Sequence, residues 1–144
     1  MNSGAQQHYF SSEEGDLANI GSAVRDVNWN AFGLDFLAKS DRGVFSYDHL
    51  DRGTAVFFSL VPPPPAQGNF LDLGCGWGPM SLCMAKLAPA SKVWAIDVNP
   101  RARDLVLRNS NIAQLKNIHV ETPDNVPSDI QFDLIWSNPP IRIG

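Results

Sequence analysis

Three glycines on alternate positions, Gly74, Gly76 and Gly78, follow the apolar run Phe70-Leu71-Asp72-Leu73 and precede Pro79. A strand that runs into residues without β-carbons, and then into a proline suited to the first helical position, predicts a strand, a sharp bend and a helix. Such a bend lets the backbone approach a ligand closely. Met80, Cys83, Met84 and Leu87 recur at helical spacing before Pro89 stops the turn. Val93-Trp94-Ala95-Ile96 reads as the next strand and ends at Asp97. Asn99 is suited to cap the helix that opens at Pro100, with Ala102, Leu105, Val106, Ile112 and Ala113 on one face. Ile118-His119-Val120 and Phe132-Asp133-Leu134-Ile135-Trp136 supply two further strands. Strands alternating with amphipathic helices predict an α/β fold with a mostly parallel sheet covered on both faces. Ligands of such folds bind beyond the carboxyl ends of the strands.

The text upstream is less regular. The first forty residues show no sustained periodicity and receive no assignment, apart from a solvated loop at Ser11-Ser12-Glu13-Glu14-Gly15-Asp16. Gly43-Val44-Phe45-Ser46 suits a short strand or turn. Asp51-Arg52-Gly53-Thr54 precedes an apolar run, Ala55 to Val61, that reads equally as helix or strand. Pro62 to Pro65 form a stiff connector. The expected division is a lead-in with a proline linker over residues 1–65 and a ligand-binding core over residues 66–144. At 144 residues the chain has room for one domain. With 44% apolar and 18% charged residues it is neither disordered nor fibrous by composition. A net charge of -4 excludes a broad basic coat, so a nucleic-acid partner would be gripped locally. The absence of a long apolar run, and of a basic flank with an apolar block at the start, predicts no membrane partner and a cytoplasmic location. Cys75 and Cys83 lack paired spacing and read as buried small apolar side chains, and the three histidines show no metal-ligand spacing, so no metal is expected.

A glycine triplet alone also makes ordinary turns. Its setting raises the signal, because Asp97 closes the following strand about 20 residues past the middle glycine, where an acid can accept from both hydroxyls of a ribose or cap a helix. Dinucleotide folds space their glycines G-x-G-x-x-G to seat a pyrophosphate on the helix N-terminus. Here the third glycine comes one residue early, and Asp72 stands two positions before the first. That carboxylate repels phosphates and favours a cationic ammonium group, directly or through water. The loop suits a nucleoside bearing an amino acid, which disfavours a nicotinamide dehydrogenase.

The Asp72-Leu73-Gly74-Cys75-Gly76-Trp77-Gly78 loop, Asp97, and Asn138-Pro139-Pro140-Ile141 together resemble a class I S-adenosylmethionine-dependent methyltransferase, Rossmann-like in fold. Within that class they are similar to the small-domain methyltransferases related to the ribosomal RNA small-subunit guanine-N2 enzymes. His8-Tyr9-Phe10, Gly43 to Ser46 and Leu50-Asp51-Arg52-Gly53-Thr54 also fit, so the likeness covers most of the chain. The resemblance implies S-adenosylmethionine as cofactor, with Asp72, Gly74, Cys75, Gly76 and Gly78 around its methionine part and Asp97 on its ribose. It implies Asp124 on the adenine, where a plain turn residue is the competing reading. It further implies a catalytic element of Asn138, Pro139, Pro140 and Ile141.

An exocyclic amine or amide nitrogen is a poor nucleophile because its lone pair is delocalised. The side-chain oxygen of Asn138 and the Pro139 carbonyl can accept its two hydrogens and aim the lone pair at a methyl group, with the prolines holding the carbonyl in place. Ile141 stands where many relatives carry an aromatic residue that stacks on the base, and Phe45 is a candidate to compensate, a core position being the alternative. Trp77 either borders the pocket or packs on a helix, Trp94 and Trp136 read as core, and Arg142 either meets a substrate phosphate or is solvated. The expected activity is methylation of the guanine amino group in small-subunit ribosomal RNA, with ribosomal RNA or the small subunit as partner. Methylation of a protein glutamine amide is the alternative enzyme. The family carries three further strands, so the sequence reads as a shortened form with strand order 3-2-1-4, an exposed edge strand open to oligomers, and impaired activity or cofactor binding without catalysis.

Overall fold

The computed structural model describes residues 24–44 and 49–138. Its first elements are β1 (Arg25–Ala31) and β2 (Leu34–Ser40), an antiparallel hairpin in which Ala31 pairs with Leu34 across the two-residue turn Phe32-Gly33. Both turn residues have positive φ, 53° and 73°, which matches the right-handed twist of the flanking strands. Helix α1 (Arg52–Leu60) follows, capped by Asp51, whose carboxylate accepts from the Thr54 amide at 3.1 Å. The run after Asp51 is therefore helix.

Beyond the prolines the chain forms β3 (Asn69–Leu73), α2 (Pro79–Leu87), β4 (Lys92–Ile96), α3 (Pro100–Ile112), β5 (Ile118–Glu121) and β6 (Leu134–Ser137). The four strands make one parallel sheet in the order β5-β4-β3-β6, the 3-2-1-4 arrangement expected from the sequence. The last strand begins two residues later than expected; just before it the Asp133 amide donates to the Asn69 carbonyl at 2.8 Å while the Asp133 carboxylate accepts from the Asn69 amide at 2.9 Å.

The hairpin alternates. Val27, Trp29 and Ala31 on one strand, and Phe36, Ala38 and Ser40 on the other, are buried, and the residues between them are not. Its buried face covers α2, so that helix is buried from Met80 through Ala85 and not only along the stripe its spacing suggested. Trp29 stacks on Phe36 at 5.0 Å and meets Trp77 edge-on at 5.2 Å. Phe32, at the tip, stacks on Trp136 of β6 at 6.1 Å.

On α3 the buried face runs Ala102, Leu105, Val106, Asn109 and Ser110, while Ile112 is exposed and Ala113 lies past the last turn. The expected apolar face is corrected there: it passes through two polar residues. Asn109 is fully buried and acts as a surrogate strand neighbour. Its Oδ1 accepts from the Lys39 amide at 2.7 Å, and its Nδ2 donates to the carbonyls of Lys39 and Trp77 at 2.8 Å. Each of these backbone groups left unpaired would cost about 1–3 kcal/mol, so one side chain joins hairpin, helix and glycine loop. Among the described residues no helix is long and apolar enough to cross a membrane.

Candidate active site

Parallel pairing decides which loops meet. Leu73 of β3 is in register with Ser137 of β6, so the bend beginning at Gly74 and the residue Asn138 leave the sheet side by side at its carboxyl edge. The Ser137 hydroxyl donates to the Leu73 carbonyl at 2.9 Å and ties the two exits together.

The bend turns over the end of β4, where the Gly74 and Cys75 amides both donate to the Ile96 carbonyl, at 2.8 and 3.0 Å. All three glycines have positive φ, but they serve two purposes. A β-carbon at Gly74 or Gly76 would meet nothing within 4 Å, whereas one at Gly78 would lie 3.0 Å from Val106. The first two keep space open, and the third lets α2 pack against α3.

Two carboxylates hold the bend. Asp97 accepts from the Gly76 amide at 3.0 Å through one oxygen and from the Asn99 amide at 2.9 Å through the other. The capping of α3 belongs to Asn99, which accepts from the Arg101 amide at 3.0 Å, so Asp97 is left as a half-buried acceptor with lone pairs to spare. Asp72 is buried and accepts from both the amide and the hydroxyl of Ser81, at 3.0 and 2.6 Å. It reaches across from β3 to cap α2, whose own N-cap, Gly78, has no side chain to do so. Burial pushes the Asp72 carboxyl up to about 7 against the pull of the Ser81 hydrogen bonds, and Asp97 nearby adds to the rise. Burial likewise pushes the Cys75 thiol up and the Cys83 thiol up to about 12, which leaves both as neutral packing groups.

The opposite rim is assembled from the lead-in. Asn138 donates through Nδ2 to the Asp51 carboxylate and to the Thr54 hydroxyl, both at 2.8 Å. Gly43 and Val44 close a third side, held by Asn99, whose Nδ2 donates to the Gly43 carbonyl at 2.9 Å, and by Asp41, which accepts from the Gly43 amide at 2.7 Å. The result is one cavity of about 470 Å³ onto which Gly74, Gly76, Asp72, Cys75, Asp97 and Asn138 all open.

Of the residues singled out in the sequence, the structure therefore brings Asp72, Gly74, Cys75, Gly76, Asp97 and Asn138 together. Gly78 sits behind the cavity wall, against Val106. Asp124 is exposed in a 3-10 turn, Pro123–Asn125, away from the cavity lining. Trp77 lines the cavity, and its ring is buried edge-on against Trp29 of the hairpin, where packing on a helix was the alternative. Trp94 and Trp136 are buried. His8, Tyr9, Phe10, the loop at Ser11 to Asp16, Phe45, Ser46, Pro139, Pro140, Ile141 and Arg142 lie outside the described residues. Sequence reasoning missed Asp51, Thr54, Val44 and Asn99 as lining residues. Asp51 and Thr54 were visible only as the lead into a run that reads equally as helix or strand, and nothing local ties them to Asn138, 87 and 84 residues away.

Comparison with known proteins places the chain in a family. The family model described as methyltransferase small domain matches residues 35–144. The uncharacterized protein YbxB of Bacillus subtilis (strain 168) is 33% identical over 141 residues, which is 96% of this chain and 68% of that protein. Ribosomal RNA small subunit methyltransferase C of Serratia proteamaculans (strain 568) is 38% identical over 122 residues, 81% of this chain and 33% of that enzyme. The chain thus spans about a third of the length of that named relative. In fold it is similar to the T. thermophilus 16S rRNA N2 G1207 methyltransferase, solved with AdoMet and guanosine, with a TM-score of 0.69 at 22% identity over 85% of this chain and 34% of that one.

Proposed function

The chain belongs to the methyltransferase small domain family and carries the Rossmann-like fold of S-adenosylmethionine-dependent methyltransferases, and from that premise we propose that it methylates the exocyclic amino group of a guanine in small-subunit ribosomal RNA. The observation that carries this reading is the sharing of one cavity by the glycine bend and Asn138.

The residues present suit S-adenosylmethionine. Gly74 and Gly76 leave the bend open where a β-carbon would stand, and the cavity falls within the ~300–1,000 Å³ common for small-molecule sites. Asp97 would hold the ribose hydroxyls with the lone pairs its two backbone donors leave free. Asp72 and the Gly74–Gly78 backbone would border the amino-acid end, the carboxylate favouring an ammonium group. When bound, the cofactor supplies a methyl group on a cationic sulfur.

The protein's own part is orientation. Asn138 Oδ1 is an acceptor at the cavity edge, suited to take a hydrogen from a planar amine and turn its lone pair out of conjugation. Val44 and Trp77 add apolar wall, which strengthens the hydrogen bonds made inside. Similarity to ribosomal RNA small subunit methyltransferase C, and in fold to a 16S rRNA N2 G1207 methyltransferase, favours RNA over a protein glutamine amide as acceptor.

Two measurements test the reading. Calorimetry with S-adenosylmethionine is expected to show one site, lost on Gly76→Val. Labelled cofactor is expected to methylate naked small-subunit ribosomal RNA at guanine N2. Transfer to a protein glutamine with none to RNA would replace the substrate, and absence of cofactor binding would overturn the reading altogether.

A further inference from the structure

We infer that Asp51 and Thr54 are positioning residues that lock the side-chain amide of Asn138 with its nitrogen turned into the protein and its oxygen left for the pocket. The inference rests on the proposed function for its catalytic meaning, though not for its geometry.

An asparagine amide is nearly symmetric in shape, and a half-turn exchanges its oxygen and nitrogen. The two orientations are opposite in chemistry. With Oδ1 toward the pocket the group accepts a hydrogen from an amine, and with Nδ2 there it offers only donors to a nitrogen that has hydrogens of its own. Something has to choose between them.

A carboxylate oxygen accepts and does not donate, so Nδ2 is the atom that lies 2.8 Å from Asp51, and a flipped amide would set oxygen against carboxylate. The Thr54 hydroxyl accepts the second Nδ2 hydrogen at 2.8 Å. Both donor hydrogens are thereby used, and Oδ1 accepts no hydrogen bond from any described residue. Asp51 is itself fixed, because the oxygen that receives Asn138 also caps α1 through the Thr54 amide at 3.1 Å. Thr54 is buried, which keeps water from competing for the same amide. Gly53, between them, is the residue the arrangement requires. A β-carbon there would stand 2.9 Å from the Asp51 oxygen and 3.3 Å from Asn138 Nδ2. The Asp51-Arg52-Gly53-Thr54 text thus has a purpose beyond starting a helix.

The test uses the full chain with D51N, T54V and T54S. Asparagine caps helices as well as aspartate, so D51N keeps α1 while making its partner ambiguous. In the unaltered protein the Asn138 side-chain amide protons are expected to exchange with water slowly by NMR, and D51N and T54V are expected to speed that exchange and shift both resonances. With S-adenosylmethionine and naked small-subunit ribosomal RNA, both variants are expected to lose about tenfold or more in kcat with KM unchanged, and T54S to restore most of what T54V loses. Free exchange of the Asn138 amide in the unaltered chain, or exchange indifferent to both variants, overturns the inference. So does a loss confined to cofactor affinity, which would make Asp51 a wall of the pocket. Slow, variant-sensitive exchange in a protein without turnover upholds the lock while sinking the proposed substrate, so the two failures are told apart.

Discussion

The two rims of the cavity are built on different terms. The glycine rim is backbone, contiguous from Gly74 to Gly78, and is held from behind by the buried carboxylate of Asp72 and from the side by Asp97. The asparagine rim is side chain, drawn from a helix start at Asp51 and a strand end at Asn138. The first rim excludes bulk and supplies space, so its faults should appear as lost binding or lost stability. The second supplies one oriented oxygen, so its faults should appear as lost rate.

The largest effect expected on the glycine rim is one of pH. The Asp72 carboxyl sits at about 7 in the folded protein against 3.8 when exposed, so the folded state retains a proton that the unfolded chain releases. Its contribution to stability is fully present below about pH 3.8 and is lost as pH rises through 7, a change on the order of 4 kcal/mol across that window. Asp72→Asn keeps an acceptor for Ser81 but cannot ionise, and urea midpoints between pH 5 and 8 are expected to fall for the unaltered protein and stay level for the variant. On the other rim, Asn138→Ala is expected to lower methyl transfer by about 10²–10³-fold with cofactor affinity unchanged in calorimetry. A parallel loss of affinity would break the contrast between rims.

Smaller effects sharpen it. Gly78→Ala combines a φ of 102° with a β-carbon 3.0 Å from Val106, and is expected to cost about 1–3 kcal/mol in denaturant melts while leaving the open side of the bend intact. Asp124→Ala, at an exposed turn residue, is expected to change cofactor affinity no more than about twofold.

The same contrast explains how much the sequence disclosed. The strands, both central helices and the bend were legible because each is written in consecutive residues: an apolar strand, three glycines, Pro79, then Asn99-Pro100 as a cap; the order of the strands came from the family resemblance alone. The hairpin was not read, although Val27, Trp29 and Ala31 alternate toward a Phe32-Gly33 turn. Asp26, Asn28, Asn30 and Asp35 occupy the outward positions, and these residue types are poor strand formers. Their exposure, and pairs such as Lys39 with Asp26, make them tolerable there. Asp72 was legible as a pocket carboxylate but not as the cap of α2, since only the folded chain brings Ser81 over it. The lock on Asn138 was hidden for the same reason, its partners being chosen by the sheet and not by spacing along the chain.

The pairing of Leu73 with Ser137 works as a ruler between the glycine bend and Asn138. A strand advances by about 3.3 Å per residue, close to the ~3–3.5 Å separation at which reacting atoms meet. One residue inserted into β6 would carry the Asn138 side chain about 3.3 Å along the strand and turn it to the opposite face of the sheet, while every residue around it kept its identity. The length of a plain strand is therefore as strict a specification of the cavity as any side chain that lines it.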